Sequence, residues 1–404
     1  MSDSRIKFAS IQKEMAKPKT AYESYSDNKE FIKYGDDNAF PFHLIDLQNN
    51  SSIHNTCINA IVDGIIGEGL TSNVERSLER ANPYESWNDI FKKVARDYKL
   101  FGGYALEVVW SNDGTKIAEV YHIDFSYLRS RKMNHRKMVE GYYLSDEWVM
   151  RYRDGRISGQ QMTNLEDVPY LPVYNQDKAT EEPNQIIYFK PYTPGQQYYP
   201  LPDYIGAIKV IELDAEVDTF HNNNIKNGLA PSLSITTFTN ANDEERRVIE
   251  QMLRTQYGGA ENAGSLMYID VDSPENAPVI TPIPQNGADD YYYNLNEMVV
   301  QKILTAHRIT SPMILGIKTS GQLGGREEVL DAYLLLLNTV IRPYQQSILS
   351  TFETIFDVNY GGLVDLGVQQ LKLYSDGEEE VDVVTSADAE AGVDTELEEN
   401  IEQA

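Results

Sequence analysis

Few residues in this chain have the types and spacing that catalysis or metal binding requires. His54 and Cys57 lie three residues apart in a segment with helical periodicity, which would place them on one face as half of a zinc site. Structural zinc usually takes four ligands, and no second pair lies nearby. Adjacent carboxylates such as Asp289 and Asp290 are explained more simply as solvated surface. We therefore predict no catalytic residue, no metal ligand and no cofactor.

The signatures of the common nucleotide-binding and hydrolytic sites are absent from the sequence. It contains no GxxxxGK[ST] phosphate loop, no HExxH zinc motif, no GxSxG nucleophile and no paired-cysteine motif. Gly64, Gly67 and Gly69 follow a predicted helix rather than a strand, so they are interpreted as the end of that helix and not as a dinucleotide-binding loop. These absences favour a structural or binding role over an enzymatic one.

One short segment concentrates positive charge. Five basic residues fall within nine positions, with His135 among them: Arg129, Arg131, Lys132, Arg136 and Lys137. Such a cluster could bind phosphate groups or an acidic partner. It could equally be the solvated tip of a hairpin that offsets acidic charge elsewhere in the chain. The residues alone do not favour one interpretation over the other.

The chain as a whole is strongly acidic. Its 404 residues include 62 Asp and Glu against 35 Lys and Arg, a formal net charge of −27. Residues 375–404 contain twelve acidic and no basic side chains, so they carry −12 and leave −15 for residues 1–374. An acidic body argues against a tight, sequence-independent grip on DNA, because phosphate binding needs clustered Lys and Arg. It does not argue against a channel through which DNA slides, where sticking would hinder movement.

Composition also bears on the cellular compartment and on the ends of the chain. Cys57 is the only cysteine, so no intrachain disulfide can form, which fits a reducing cytoplasm. The start of the chain resembles no signal peptide, and its most apolar window, 333–341, is far shorter than the roughly 20 residues that span a bilayer. We predict a protein made in the cytoplasm with no membrane partner. Residues 1–30 and 375–404 are predicted to be a flexible arm and a disordered acidic tail.

The first half of the chain is predicted to be an α+β unit. Apolar spacing predicts helices over 51–66 and 87–100 and a strand over 104–110. From there to about residue 190, short β runs are separated by turns. Two of these turns have hairpin spacing: Asn112-Asp113-Gly114 and Arg153-Asp154-Gly155.

The second half is predicted to place two helices on either side of a compact β-α-β insert. The first helix begins near Asp203, which is placed to cap its exposed amides, and ends at Asn227-Gly228. The insert is predicted to hold a helix over 243–257 and strands over 231–238, 266–271 and 279–283. The second helix covers 290–308.

A loop and a long helix follow the second of these helices. The loop, residues 310–325, contains four glycines. Its length is unusual for a connection between helices and favours a functional loop. The long helix covers 326–356, and Pro343 within it predicts a kink or break.

Segments in this order resemble the family of phage portal proteins. Five segments within residues 30–357 carry the resemblance: Trp87 through Gly103-Tyr104-Ala105, Tyr199 through Tyr204 with Asn227 through Pro231, Tyr257-Gly258-Gly259 with Asn262-Ala263-Gly264, Ile309 through Gly316, and Arg342-Pro343-Tyr344. The chain departs from the family pattern in its Pro-Leu-Pro lead-in at 200–202, where the family has glycine. The region after the long helix is also short, so it could form only a small crown, the helical part that follows that helix in the family.

The resemblance implies a portal-like α+β fold. Its parts would be a wing, two stem helices bracketing a small β-α-β clip, and a long kinked helix after a tunnel loop. The implied boundaries are the arm 1–30, wing 31–202, first stem helix 203–228, clip 229–289, second stem helix 290–309, tunnel loop 310–325, long helix with a short wing or crown remainder 326–374, and tail 375–404.

The resemblance also implies a role and partners. The chain would form a ring, a dodecamer, at one capsid vertex of a virion assembled in the host cytoplasm. Its implied partners are double-stranded DNA in the channel, the terminase large subunit, the major capsid and scaffolding proteins and the head-tail adaptor. The residues expected to line the channel are Ile317, Lys318, Thr319, Ser320, Gly321, Gln322, Gly324 and Gly325.

Two other functions are compatible with the sequence. The first is a metal-dependent phage nuclease, which chelator-sensitive DNA cleavage would favour and which the missing motifs disfavour. The second is another head or neck structural protein, such as an adaptor. A ring whose clip contacts the packaging ATPase would distinguish a portal from an adaptor.

Overall fold

The fold is α+β, as predicted, and its elements are seen in a computed structural model that describes residues 23–25, 30–74, 76–151, 157–159, 165–227, 233–237, 266–270, 288–317, 326–362, 364–371 and 384–385. The α-helices are α1 Phe40–Asn50, α2 Ser52–Ile66, α3 Trp87–Phe101, α4 Ile208–Asn227, α5 Ala288–Ala306, α6 Arg326–Leu336 and α7 Arg342–Tyr360. The strands of the first half are β1 Glu23–Tyr25, β2 Ile32–Tyr34, β3 Gly69–Ser72, β4 Tyr104–Trp110, β5 Ile117–Ile123, β6 Leu128–Ser130, β7 Gly141–Leu144, β8 Val149–Arg151, β9 Ile157–Gly159, β10 Tyr170–Pro172 and β11 Asn184–Phe189. Those of the second half are β12 Leu233–Thr237, β13 Leu266–Asp270, β14 Leu366–Gln369 and β15 Val384–Thr385.

Helices α2 and α3 form where the sequence predicted them because each has a clear start and stop. Ser51 caps α2, its side chain accepting a hydrogen bond from the backbone N–H of His54. Ser86 and Asp89 form a capping box at the start of α3, and Gly102 ends that helix in a left-handed turn at φ +85°. Helix α1 was not predicted.

The wing contains several small antiparallel sheets. Strand β4 lies between β11 and β5, and the β4–β5 hairpin confirms the predicted turn at 112–114. Strands β8 and β9 pair as the second predicted hairpin requires. Helices α3 and α7 pack together through aromatic rings, with Trp87 at 5.1 Å from Phe352 and 4.6 Å from Phe356 between ring centroids. The C-terminal part of the long helix therefore packs on α3, in the predicted wing.

Part of the predicted arm is fixed to the wing. Strand β1 pairs with β2, and the carboxylate of Glu23 accepts hydrogen bonds from the backbone N–H groups of Gln197, Tyr198 and Tyr199 at 2.7–2.9 Å. The prediction of a flexible arm over 1–30 is therefore wrong for residues 23–25, because three backbone donors bind this side chain. Residues 1–22 lie outside the described part of the chain.

The C-terminal region pairs with a strand near the start of the predicted wing. Strand β14 pairs with β3, so residues 366–369 complete a sheet begun some 300 positions earlier. Strand β15 adds to the other edge of β14. The prediction of disorder throughout 375–404 is therefore wrong for Val384–Thr385, and the rest of that tail lies outside the described residues.

The two predicted stem helices, α4 and α5, pack against each other, and a parallel strand pair belongs to the insert between them. In β12 and β13, Leu233 lies opposite Leu266. A parallel pair requires a crossover connection, as a β-α-β unit provides. The predicted helix over 243–257 and strand over 279–283 lie outside the described residues.

The long helix accommodates Pro343 without breaking. Between α6 and α7, residues Leu337–Ile341 form a π-helical segment, where the N–H of Arg342 donates to the carbonyl of Leu337, five residues earlier. Proline has no N–H to donate, so the α-helical hydrogen-bond pattern is interrupted near Pro343. The wider π-helical turn lets the helix continue past this interruption. In the part of the chain that the structure describes, no helix is long and apolar enough to cross a membrane.

Candidate functional site

A buried ion pair connects α3, in the predicted wing, to the start of the predicted first stem helix. The ammonium of Lys99, in α3, lies 2.8 Å from both carboxylate oxygens of Asp203. The Lys99 side chain has no exposed surface, whereas that of Asp203 is 25% exposed. Burial lowers the pKa of Lys99, and Asp203 is the main group opposing that shift.

This pairing corrects a prediction made for Asp203. The tight turn over Ile205–Ala207 that leads into α4 has no side-chain cap, and the residue at its capping position is Tyr204. Asp203 was predicted to cap the helix, but its carboxylate binds Lys99 instead, because the charge of that buried ammonium must be balanced. The hydroxyl of Tyr204 donates to the carbonyl of Leu100 at 2.6 Å, so two successive residues hold α4 to the end of α3.

A histidine pair holds the end of α5, the predicted second stem helix, next to Tyr204. His54 Nδ1 lies 2.8 Å from Nε2 of His307, which follows α5, and both side chains are fully buried. Burial, with a smaller influence of Lys99, lowers the pKa of His54 to about 3 and that of His307 well below its usual range. Burial raises the pKa of the Cys57 thiol to about 12. His54 and Cys57 are therefore both packed in the core.

Neutral burial of these two histidines makes stability depend on pH. The unfolded chain takes up protons near pH 6.5 and the folded chain does not, so the folded state loses stability as the pH falls. Between pH 6.5 and 5, we expect a slope approaching about 1.4 kcal/mol per pH unit for each histidine. Replacing His54 with glutamine should remove one contribution, which urea unfolding at several pH values would measure. An unchanged slope in this variant would contradict neutral burial of His54.

The start of the predicted tunnel loop is a structured turn. Ser311 accepts a hydrogen bond from the N–H of Met313 and begins a tight turn over Pro312–Leu315, which Gly316 ends at φ +76°. Ile317 is half-buried, and its N–H donates to the carbonyl of Pro312. The other residues predicted to line the channel lie outside the described part of the chain: Lys318, Thr319, Ser320, Gly321, Gln322, Gly324 and Gly325.

The predicted basic cluster does not form a single surface. Arg129 is fully buried, and its guanidinium donates to Asn38 and to the carbonyls of Ser126 and Leu128 while lying 5.3 Å from the Trp148 ring. Burial lowers its pKa to about 10. Arg129 therefore belongs to the wing core and cannot contact a phosphate or a partner.

The other four basic residues of the cluster are exposed: Arg131, Lys132, Arg136 and Lys137. Two of them lie over tyrosine rings, at 5.6 Å between Arg131 and Tyr170 and 5.2 Å between Lys132 and Tyr25. Arg131 also lies 3.3 Å from Glu140, so part of its charge is already balanced. These four positions remain a predicted binding patch of reduced size.

No group of three or more His, Cys, Asp or Glu side chains that could hold a metal ion occurs among the described residues. The model of the family described as phage portal protein matches residues 63–387. The chain belongs to the phage portal protein family. The predicted resemblance is confirmed over most of the chain.

One curated relative of this chain is also a portal protein by name. A protein named probable portal protein, from Haemophilus phage HP1 (strain HP1c1), is 27% identical over 181 residues, which are 44% of this chain. The chain spans half the length of that relative.

Two solved structures share the fold of this portal family member. A chain in the neck of an empty GTA particle, computed with C6 symmetry, has a TM-score of 0.51 at 15% identity, over 81% of this chain and 83% of that one. A chain in the neck of a native GTA particle, computed with C12 symmetry, has a TM-score of 0.50 at 14% identity, over 86% and 85% of the two chains.

Proposed function

We propose that this portal family member is the subunit of a closed ring, a dodecamer, that forms the channel for double-stranded DNA at one capsid vertex. The family match over residues 63–387 carries the proposal. The likeness of fold to a neck subunit in a particle computed with C12 symmetry supports the ring. In this proposal the work is mechanical and the chain has no catalytic role.

The proposed partners bind in sequence during assembly. The clip, residues 229–289, would dock the terminase large subunit during packaging and the head-tail adaptor afterwards. The major capsid and scaffolding proteins would contact the ring as the head forms. The finished ring would stay in the virion.

Exposed apolar side chains on α5 and α6 support assembly with neighbouring copies. Leu335 is 53% exposed, Met298 44% and Leu330 39%. These residues lie on the helices that precede and follow the proposed tunnel loop. A head-to-tail contact repeated around a ring would cover such positions on every subunit.

The charge of the first stem helix supports a sliding channel. In its first three turns, helix α4 carries two exposed carboxylates, Glu216 and Asp218, and one exposed lysine, Lys209, while Asp214 is buried and accepts a hydrogen bond from Ser51. Acidic helices repel phosphate groups, so DNA would not be held in place as it moves.

The purified protein is expected to form rings with a mass many times 45.9 kDa, because neighbouring copies would cover the exposed apolar side chains of α5 and α6. Light scattering would measure the mass, and negative-stain images should show a central hole. Leu335→Asp is expected to reduce ring formation, since the charge would have to be buried against a neighbour. Tyr84→Asp is the matched control, because Tyr84 is 87% exposed and lies away from these helices.

Other outcomes would contradict the portal proposal. A monomer that persists at high concentration would argue against a ring. Chelator-sensitive cleavage of DNA by the purified protein would favour a nuclease instead. Rings that never bind the terminase large subunit would favour an adaptor.

A further inference from the structure

Helix α5 ends in a left-handed turn that is occupied by arginine. The N–H of Arg308 donates to the carbonyl of Thr305, and the N–H of Ile309 donates to that of Leu304, both at 3.0 Å. This pattern is a Schellman motif, whose left-handed position is usually glycine. Arg308 occupies that position at φ +58°. This conformation is unfavourable for residues with a Cβ atom, because that atom approaches the following carbonyl oxygen. A left-handed conformation costs energy for any residue other than glycine, so we expect another contact of Arg308 to offset that cost.

The Arg308 side chain makes that contact with the long helix. Its Nη2 donates to the backbone carbonyl of Thr339 at 2.5 Å, within the π-helical segment. In an α-helix this carbonyl would accept from the N–H of residue 343, which is a proline and has none. Arg308 therefore supplies a donor to a carbonyl that has lost its α-helical partner to Pro343.

A second hydrogen bond joins the same two parts of the chain. The hydroxyl of Thr310 donates to the carbonyl of Ala332 at 2.7 Å, about two helical turns before Thr339. Arg308 and Thr310 flank the first residue after the turn, and the predicted tunnel loop begins at Thr310. Two hydrogen bonds thus bind the beginning of this loop to the long helix, one at Ala332 and one at Thr339.

We propose that Arg308 is a positioning residue that couples the start of the predicted tunnel loop, residues 310–317, to the π-helical segment of the long helix. The left-handed turn aims the guanidinium at Thr339, and Pro343 leaves that carbonyl available. The start of the loop is then held to the long helix by this bond together with that of Thr310, and a change in the π-helical segment would weaken the first of the two. This inference rests on the proposed role of residues 310–325 in the channel.

Arg308→Gly tests the coupling because glycine keeps the left-handed turn and removes the guanidinium. Rings should form normally, while hydrogen exchange at the amides of residues 310–317 should become about threefold faster, as expected on losing one solvent-exposed hydrogen bond. Packaged DNA retained per head in a complementation assay should also fall. Arg76→Gly is the matched control, because Arg76 is an exposed arginine at φ +64° whose side chain pairs with Glu79 in its own turn.

Pro343→Ala tests the other side of the contact. Alanine restores an N–H that can bind the carbonyl of Thr339, so it should displace Arg308 and accelerate exchange over 310–317 as Arg308→Gly does. The double variant should show no further acceleration, because both changes remove one contact. Rate increases that multiply in the double variant would show that the two residues act independently and would overturn the coupling.

The outcomes separate this inference from the proposed function. If Arg308→Gly and Arg76→Gly exchange alike in intact rings, the coupling is wrong, whatever the packaging result. If exchange rises only in Arg308→Gly but DNA is retained normally, the contact exists and the proposed role of the loop in DNA retention is wrong. Failure of the unaltered chain to form rings would overturn the proposed function itself.

Discussion

Replacing Asp203 with alanine is expected to lower the free energy of unfolding by about 3–5 kcal/mol, because Lys99 would be left without a partner in a fully buried site. The ammonium of Lys99 lies 2.8 Å from both oxygens of Asp203 and is itself fully buried, so it depends on that partly exposed carboxylate for the balance of its charge. Losing the carboxylate also lets burial lower the pKa of Lys99 further. The loss should therefore become smaller at high pH, where the lysine sheds its proton.

Urea unfolding at a fixed protein concentration would measure this effect, since the stability of an assembled ring depends on concentration. Asp146→Ala is the matched control, because Asp146 is exposed and its loss should change stability by no more than about 0.5 kcal/mol. The double variant Lys99→Met with Asp203→Leu should recover much of the loss, as apolar replacements of buried ion pairs often do. A change of less than about 1 kcal/mol for Asp203→Ala alone would show that Lys99 is not held as a charged group.

Local sequence signals predicted the elements that carry their own starts and stops. Helix α3 has a capping residue, an apolar face and a terminal glycine within its own segment, and strand β4 was predicted at its observed bounds, Tyr104–Trp110. Helix α1 lacks these signals. Its capping position is Ala39, which has no side-chain hydrogen bond, and it ends at Ser51 instead of a glycine. Packing on the wing core, which no local pattern records, stabilises this helix.

The candidate site depends on contacts between residues that are far apart in the sequence. Lys99 and Asp203 are 104 positions apart, and His54 and His307 are 253 apart, so no spacing could pair them. Arg129 shows the converse error, because neighbours in a basic run need not share an environment. Arg129 lies in a buried strand and Arg131 follows it at the surface. Side-chain type predicted the charge, and only the tertiary fold determined which charges reach solvent.

Replacing Gly321, Gly324 and Gly325 together with alanine is expected to reduce packaged or retained DNA sharply while rings still form. Glycine accepts backbone conformations that a Cβ atom excludes, so three alanines would restrict the conformations open to the predicted tunnel loop. A loop that meets moving DNA must adjust as successive phosphates pass it. The measurement is the amount of DNA per head in a complementation assay, together with the mass of the purified rings.

Lys318→Ala separates the effect of stiffness from that of charge. A single lysine offers DNA only a weak attraction that salt screens, so its loss should change packaging mildly. Tight phosphate contacts would have to break at every step of movement, so a channel for sliding DNA should not depend on them. We therefore expect the glycine substitutions, and not Lys318→Ala, to cause the large loss of packaged DNA. If the glycine variant packages and retains DNA as the unaltered chain does, residues 310–325 are only a connection between two helices. A large loss from Lys318→Ala alone would instead indicate a channel that grips DNA through charge.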